Sequence, residues 1–193
     1  MKRQHKIDVN TPERYDEIYF GVRTVQLMPS PHLMALLRMT CKGGKALDIG
    51  CGLGRYFPYF GTSEVTGLDF TQKVLDQAKA DYPMVTVVNH DIAKNGLNCF
   101  EDESFDYIFC SEVIEHMENP QALVNEIRRV LKKDGIAIVT TPYQDRIVCE
   151  EHIWEFDWQD LHEMFVGYKN VAITRYFNVP AADWEHFVIQ AQK

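Results

Sequence analysis

The sequence lacks the features of membrane-spanning and disulfide-stabilised proteins. Its five cysteines are odd in number and no two follow C-x-x-C spacing, so neither a disulfide framework nor a zinc knuckle is indicated. No run approaches the ~20 apolar residues that cross a bilayer, and the first ten residues lack the apolar core of a signal peptide. We therefore expect a cytoplasmic protein with no membrane insertion.

Basic residues are also scarce. The chain has 20 Lys and Arg against 28 Asp and Glu, a net charge of -8, which repels phosphate backbones. Basic residues cluster only at 1–6 and 128–133, so a nucleic-acid partner is not expected. With 193 residues, 46% of them hydrophobic, and no internal repeat or linker, the sequence predicts a single globular domain over 1–193.

A glycine-rich turn, ALDIGCGLGR at 46–55, is the most informative segment. A short apolar strand precedes Gly50, and we expect a helix to begin at Arg55. The spacing is G-x-G-x-G, which differs from the G-x-G-x-x-G that binds a dinucleotide pyrophosphate. Asp48 stands two residues before the first glycine. Its carboxylate would repel a pyrophosphate and attract an ammonium or sulfonium group.

Strand and helix patterns alternate along the rest of the chain. This alternation predicts an α/β fold with a doubly wound, mostly parallel seven-stranded sheet that closes with an antiparallel C-terminal strand pair. Residues 1–44 are expected to form a helical cap, and 45–193 the core. The predicted strands are 45–49, 64–68, 84–88, 105–110, 136–139, 168–176 and 185–190, and the predicted helices after the turn are 71–80, 120–132 and 157–165.

Four short segments follow the first four predicted strands. They are Gly50–Gly54, Asp69-Phe70, Asp91-Ile92 and Ser111-Glu112. In a doubly wound sheet the carboxyl ends of parallel strands lie along one edge, where ligands bind. The sequence therefore predicts that these segments converge on a single crevice.

Together these strand-end segments resemble the class I S-adenosylmethionine-dependent methyltransferases, in particular small single-domain enzymes of the methyltransferase type 11-like group. The resemblance covers roughly residues 40–145 and implies a Rossmann-like fold and a methyltransferase activity. The matching stretches are ALDIGCGLGR, VTGLDF, NHDIAKNG, FDYIFCSEVIEHMENP and LKKDGIAIVTTPY.

The resemblance implies S-adenosylmethionine as cofactor and S-adenosylhomocysteine as product, and it assigns a role to each strand end. The methionine part would lie against the backbone of Gly50, Cys51, Gly52 and Gly54, beside Asp48. Asp69 would accept hydrogen bonds from the ribose hydroxyls, and Phe70 would lie against the adenine, whose edge Asp91 and the Ile92 amide would contact. Cys110 and Ser111 would border the sulfonium. Two alternatives stay open. Asp91 is equally suited to cap a helix, and Cys110 is better suited to be a small buried hydrophobe than a nucleophile.

On the acceptor side, His116 is the candidate general base, because an imidazole is partly neutral at cytoplasmic pH. The alternative is a histidine that only orients its loop. Candidate acceptor-lining residues, each of which could instead belong to the core, are Tyr15, Tyr19, Glu112, Tyr143, His152 and Trp154.

The favoured function is methylation of oxygen or nitrogen on a small-molecule acceptor, such as a metabolite, a quinone or lipid precursor, or a sugar, with no metal required. A second possibility is metal-assisted methylation of RNA. The residues Glu112, Glu115, His116 and His152 resemble the metal site of small-RNA 3′-end ribose 2′-O-methyltransferases, although the acidic chain disfavours RNA. A third possibility is a non-catalytic module that binds the cofactor.

Overall fold

The computed structural model describes residues 1–3, 10–20, 28–61, 64–143, 151–177 and 185–193. The strands are β1 Lys2–Arg3, β2 Lys45–Ile49, β3 Glu64–Asp69, β4 Thr86–Asn89, β5 Phe105–Ser111, β6 Leu131–Pro142, β7 Trp154–Glu155, β8 Lys169–Phe177 and β9 Glu185–Gln192. The α-helices are α1 Pro12–Phe20, α2 Pro31–Thr40, α3 Gln72–Asp81, α4 Ile92–Asn95, α5 Pro120–Val130 and α6 Trp158–Met164.

The main sheet has seven strands in the order β4-β3-β2-β5-β6-β9-β8. Strands β2 to β6 run parallel, and β9 is antiparallel to both β6 and β8. The predicted fold class is thereby confirmed. Because β9 runs against β6, the first residues of β9 lie at the carboxyl edge of the parallel strands: His186 pairs with Pro142, at the end of β6.

Helices cover both faces of the sheet, as their apolar stripes require. On one face, α5 buries Leu123, Val124 and Ile127 against the apolar residues of β5 and β6. On the other face, α2 buries Leu33 and Leu37 in a second apolar cluster. The strands between these helices are covered on both faces, which explains why β5 is nearly continuous in apolar residues.

The N-terminal residues differ in part from the expected helical cap. Helices α1 and α2 are present, but Lys2–Arg3 also pairs with Trp154–Glu155 in a small antiparallel sheet. Two contacts at its first and last turns help to attach helix α1 to the rest of the fold. The guanidinium Nε of Arg14 donates to Glu151 Oε1 at 2.7 Å, and Lys73 Nζ on α3 lies 4.4 Å from the centre of the Phe20 ring.

The prediction of a helix that begins at Arg55 is wrong. The chain instead makes turns and a single 3-10 turn at Phe57–Tyr59. Phe57 and Phe60 are buried in the core, and the chain then turns back so that the Gly61 carbonyl accepts from Gly43 N at 3.0 Å. The pairing at Gly61 leaves no room for a longer helix.

Helix α5 also ends earlier than its pattern indicates. We expected it to continue to Lys132 and to stop at Asp134-Gly135, but it ends at Val130, and Leu131 already pairs with Phe105 in the sheet. The apolar side chain of Leu131 fits a buried strand position as well as the helix stripe, so tertiary pairing decides between them. None of the helices in the described part of the chain is long and apolar enough to span a membrane.

Candidate active site

The carboxyl edge of the parallel strands brings the predicted strand-end residues together. The loops after β2 and β3 are in direct contact, since Gly52 N donates to Asp69 Oδ2 at 3.0 Å. The other oxygen, Oδ1, accepts from Thr71 N at 2.9 Å. Gly52 has a φ of 51°, in the left-handed region that glycine adopts without strain, so the turn can place this N–H toward the carboxylate.

Two buried carboxylates lie beneath the glycine turn. Asp48 and Asp69 are 3% and 7% exposed, and burial raises the pKa of both carboxyl groups. The negative charge of Asp69 raises the pKa of Asp48 further. Asp48 Oδ2 has no hydrogen-bond partner among the described residues. A buried acceptor without a donor costs free energy unless a ligand supplies one. The ammonium group of S-adenosylmethionine, the cofactor that the sequence resemblance implies, would supply such a donor.

Aromatic residues of α1 cover this edge. The Tyr15 ring lies 5.3 Å from the Phe70 ring in an edge-to-face arrangement. Tyr19 lies directly over the glycine turn, because a Cβ added at Gly52 would stand 2.5 Å from the Tyr19 hydroxyl oxygen. Helix α1 therefore packs against the candidate cofactor residues.

Asp91 adopts the helix-cap role that was one of its two alternatives. Its Oδ1 accepts from the backbone N–H groups of Ala93 and Lys94, and its Oδ2 pairs with Lys94 Nζ at 2.7 Å. These partners hold the pKa of Asp91 below its ordinary value, against the opposing effect of burial. Ile92 begins the helix that this side chain caps, α4.

The residues at the end of β5 are held by the core. Cys110 is fully buried, and burial raises its thiol pKa far above the ordinary value, so it is a small buried hydrophobe and has no thiolate character. Ser111 Oγ forms a hydrogen bond with Thr140 Oγ1 at 2.8 Å. Cys51, in the glycine turn, is partly buried.

His116 has a defined tautomer. Its Nδ1 lies 2.8 Å from the Glu151 carbonyl oxygen, which can only accept, so Nδ1 carries the proton and donates. The Tyr15 hydroxyl, which donates to Asn10 Oδ1, lies 3.3 Å from the same nitrogen. The lone pair of Nε2 is therefore available. Burial lowers the pKa of His116, which keeps the ring neutral at neutral pH.

His152 joins His116 at this edge. The two rings are 4.8 Å apart and nearly perpendicular. Burial and the neighbouring His116 lower the pKa of His152 to about 4. Both imidazoles are therefore neutral and able to accept at neutral pH. Glu150, which precedes Glu151 in the same segment, lies outside the described residues.

Glu112 and Glu115 are in contrasting environments. Glu112 Oε1 accepts from Thr140 Oγ1 at 2.7 Å, and Oε2 lies 3.0 Å from His186 Nδ1. Burial opposes its ionisation, but His186 and these hydrogen bonds outweigh that effect and lower the pKa of Glu112. Glu115 is fully buried; its Oε2 accepts from Thr141 Oγ1 at 3.1 Å, and Oε1 has no hydrogen-bond partner among the described residues. Burial raises the pKa of Glu115 well above its ordinary value.

This contrast predicts opposite effects for two matched substitutions. In chelator-treated protein, we expect Glu115→Gln to raise the free energy of unfolding by about 1–2 kcal/mol, because it removes a buried acidic group with an unpartnered oxygen. We expect Glu112→Gln to lower it by a similar amount, because it removes the charge that His186 and Thr140 stabilise. Urea denaturation at pH 8 measures both. Equal destabilisation by both substitutions would contradict the assignment of Glu115 as an unsatisfied group.

His186 is the site residue that the sequence analysis missed. It is 4% exposed, stacks on Tyr176 at 5.2 Å, and its Nε2 has no hydrogen-bond partner among the described residues. It belongs to the last strand, far from every recognised motif. The available signal was the antiparallel closing strand itself, because such a strand starts at the ligand-binding edge.

The remaining predicted acceptor residues are anchored by packing. Trp154 Nε1 donates to the Met117 carbonyl at 2.8 Å. The Tyr143 ring lies 5.0 Å from the Phe187 ring, with the Arg175 guanidinium 4.8 Å above it. Trp154 belongs to β7, and Tyr143 directly follows the end of β6.

Comparison with known families identifies the domain. Residues 47–139 match the model of a family described as a methyltransferase domain. The part of this chain from residue 47 to residue 139 is therefore similar to methyltransferase domains. The match runs from β2 into β6 and contains the glycine turn, Asp69, Asp91 and His116, so the recognition from sequence is confirmed.

Individual relatives agree with this family. The ubiquinone biosynthesis O-methyltransferase of Actinobacillus pleuropneumoniae is 33% identical over 110 residues, which cover 51% of this chain and 46% of that protein. The enzyme of the same name from Neisseria meningitidis is 25% identical over 162 residues, covering 78% of this chain and 60% of that protein. The chain thus spans about half the length of the curated relatives it matches.

A solved structure shows that the fold extends over the whole chain. The methyltransferase structure of Burkholderia thailandensis 1,6-didemethyltoxoflavin-N1-methyltransferase, with bound 1,6-didemethyltoxoflavin and S-adenosylhomocysteine, has a TM-score of 0.73 at 18% identity and covers 100% of this chain and 99% of that one. At this identity the likeness establishes the shared fold.

Proposed function

We propose that the chain transfers a methyl group from S-adenosylmethionine to a small-molecule acceptor, at a hydroxyl oxygen or an amine nitrogen. The observation that carries this proposal is the proximity of two groups of residues at one sheet edge. The glycine turn follows β2, its buried carboxylates belong to β2 and β3, and the histidines lie after β5 and before β7. The Tyr15 ring lies between the two groups, with its centre 5.3 Å from that of Phe70 and 6.2 Å from that of His116. Methyl transfer needs a site for the methyl donor beside a site for the methyl acceptor.

The cofactor residues are proposed on the following grounds. Each oxygen of Asp69 accepts one backbone N–H and retains capacity for another donor, which suits the two ribose hydroxyls. Asp48, with an unpartnered buried oxygen, suits the positively charged methionine end beside the backbone of Gly50–Gly54. Phe70, directly after β3, would lie against the adenine, and Asp91 and Ile92, which follow the neighbouring strand β4, would contact its edge. Cys110 and Ser111 end β5 beside this turn.

S-adenosylmethionine supplies an activated methyl group, so the protein has to orient the acceptor and exclude water. Orientation of this kind contributes up to ~7–11 kcal/mol in favourable cases. We propose that His116 takes the proton of a hydroxyl acceptor at Nε2, since its other ring nitrogen is held by the Glu151 carbonyl. Tyr15 and Tyr19 would cover the cofactor, and Glu112, Tyr143, His152 and Trp154 would border the acceptor.

The acceptor class is proposed from the relatives and from the chemistry of the edge. Two relatives are named as ubiquinone biosynthesis O-methyltransferases, and one structural neighbour as a 1,6-didemethyltoxoflavin-N1-methyltransferase. A net charge of -8 disfavours RNA. We therefore favour a metabolite, a quinone or lipid precursor, or a sugar.

Binding and turnover of the full chain test this proposal. Calorimetric titration with S-adenosylhomocysteine is expected to show one site per chain, and NADH is expected not to bind. Transfer of labelled methyl from S-adenosylmethionine is then measured on a panel of phenols, catechols, amines and sugars. Binding of NADH in place of S-adenosylhomocysteine would overturn the proposal. Cofactor binding without turnover on the whole panel would favour the non-catalytic module instead.

A further inference from the structure

Three side chains at the acceptor end of the site, Glu115, His116 and His152, form what we call the histidine cluster. One potential ligand atom from each lies within 4.8 Å of the others. Glu115 Oε1 is 3.8 Å from His116 Nε2. Glu115 and His116 belong to the 3-10 turn after β5, whereas His152 lies just before β7. The fold therefore assembles the cluster from segments that are far apart in sequence.

One of the two carboxylate oxygens in the cluster lacks a hydrogen-bond donor. Glu115 is 0% exposed, and its Oε2 is oriented by the Thr141 hydroxyl at 3.1 Å. That bond leaves Oε1, which has no hydrogen-bond partner among the described residues, on the side of His116. A buried carboxylate oxygen without a donor or cation is costly to maintain. A cation between Oε1 and the two imidazoles would remove this cost.

The imidazole of His116 has the orientation that metal-binding histidines show. Its Nδ1–H donates to the Glu151 carbonyl at 2.8 Å, which fixes the tautomer and leaves the Nε2 lone pair facing Glu115. A backbone carbonyl on the remote nitrogen is a common outer partner of a histidine that binds a metal. The Glu115 carboxylate has an equivalent outer partner in Thr141.

We propose that Glu115, His116 and His152 bind a divalent transition-metal ion such as Zn²⁺ or Mn²⁺. Two imidazole nitrogens and one carboxylate oxygen form a ligand set for such ions, and three protein ligands leave positions for water or for a hydroxyl oxygen of the acceptor. Glu112 is not included in this site, because the ligand atoms that lie together are those of Glu115, His116 and His152, whereas Glu112 is hydrogen-bonded to Thr140 and His186. The site thus differs from the four-residue set considered from the sequence.

This inference rests on the proposed function and deepens it. In the ion-bound protein, Nε2 of His116 is a ligand, so His116 acts on the acceptor through the ion rather than as a free base. A hydroxyl bound to a divalent cation would lose its proton to solvent water more readily than a free one, and its oxygen would then take the methyl group as the bond from methyl carbon to sulfur breaks. The acceptors that fit best carry a hydroxyl with a second oxygen next to it, since both oxygens can occupy the open positions.

Direct metal titration of the full chain tests the site without reference to activity. Chelator-treated protein is titrated calorimetrically with Zn²⁺ and Mn²⁺, and we expect one ion per chain. Glu115→Gln and His152→Gln are each expected to weaken binding by about 10-fold to 100-fold or more, by comparison with losses of that size for outer partners alone. His162→Gln, which changes an exposed histidine on α6, is the matched control and is expected to leave affinity unchanged.

Absence of Zn²⁺ and Mn²⁺ binding by the unsubstituted protein would overturn the inference. Glu115→Gln and His152→Gln binding these ions as tightly as the control His162→Gln would also overturn it. Urea denaturation of each variant shows whether it is folded, and His116→Gln gives a further test if Glu115→Gln is not. Titration with S-adenosylhomocysteine is carried out on the same samples. If that ligand binds and methyl transfer proceeds but no ion binds, the metal inference fails alone; if the ion binds and S-adenosylhomocysteine does not, the proposed function fails and the metal site remains.

Discussion

Replacing Asp69 with alanine is expected to weaken the binding of S-adenosylhomocysteine by about 10-fold to 100-fold. The substitution removes charge-assisted hydrogen bonds worth about 1.5–3 kcal/mol, and 1.4 kcal/mol corresponds to a tenfold change in affinity. The carboxylate also orders the glycine turn, because Gly52 N and Thr71 N donate to it. Calorimetric titration of the variant measures the loss.

A matched aspartate separates this effect from a general change of charge. Asp76→Ala removes an exposed aspartate on α3 and is expected to leave affinity unchanged. Asp69→Asn keeps one acceptor oxygen but loses the charge, so we expect an intermediate affinity. If Asp69→Ala binds S-adenosylhomocysteine as tightly as the unsubstituted chain, Asp69 does not contact the ribose.

Replacing His116 with alanine is expected to lower turnover by about 100-fold or more on a hydroxyl acceptor, the loss typical of a proton-transfer group. The affinity for S-adenosylhomocysteine is expected to stay within about twofold, because the described contacts of the His116 ring are to Tyr15, Glu151 and the histidine cluster rather than to the glycine turn. Steady-state kinetics with the acceptor found on the panel measures kcat and KM separately.

His162→Ala is the control for His116→Ala, because His162 is an exposed histidine of α6. Its turnover should match that of the unsubstituted chain. Unchanged turnover in His116→Ala would show that the residue neither accepts the proton nor binds an ion that promotes its loss, and would leave it the role of orienting its loop.

Much of the fold follows from local patterns. The apolar runs of β2 and β5 and the stripe of α5 each identify an element because burial on one face or both leaves a period in the sequence. The alternation of these elements then implies a parallel sheet. Local pattern was less reliable where two elements meet. Leu131 suits a helix stripe and a strand equally, and its pairing with Phe105 decides for the strand.

The candidate site was predictable to the extent that strand ends mark it. Asp69 and the glycine turn follow predicted strands, and their contact follows from parallel neighbours. The partners of Glu112 were not predictable. Its pairing with His186 depends on the direction of β9, and no local pattern near His186 carries that information.

By itself, the sequence determined the order along the chain of the seven strands of the main sheet and the residues that stand at their ends, because burial and turn formation are local requirements that leave local patterns. It also determined the family, through motifs at those same ends. Only the tertiary structure decided which carboxylate is satisfied and which is not. Glu112 and Glu115 are three residues apart, yet one is paired by β9 and the other has a buried oxygen with no hydrogen-bond partner among the described residues, since hydrogen-bond satisfaction depends on what packs opposite.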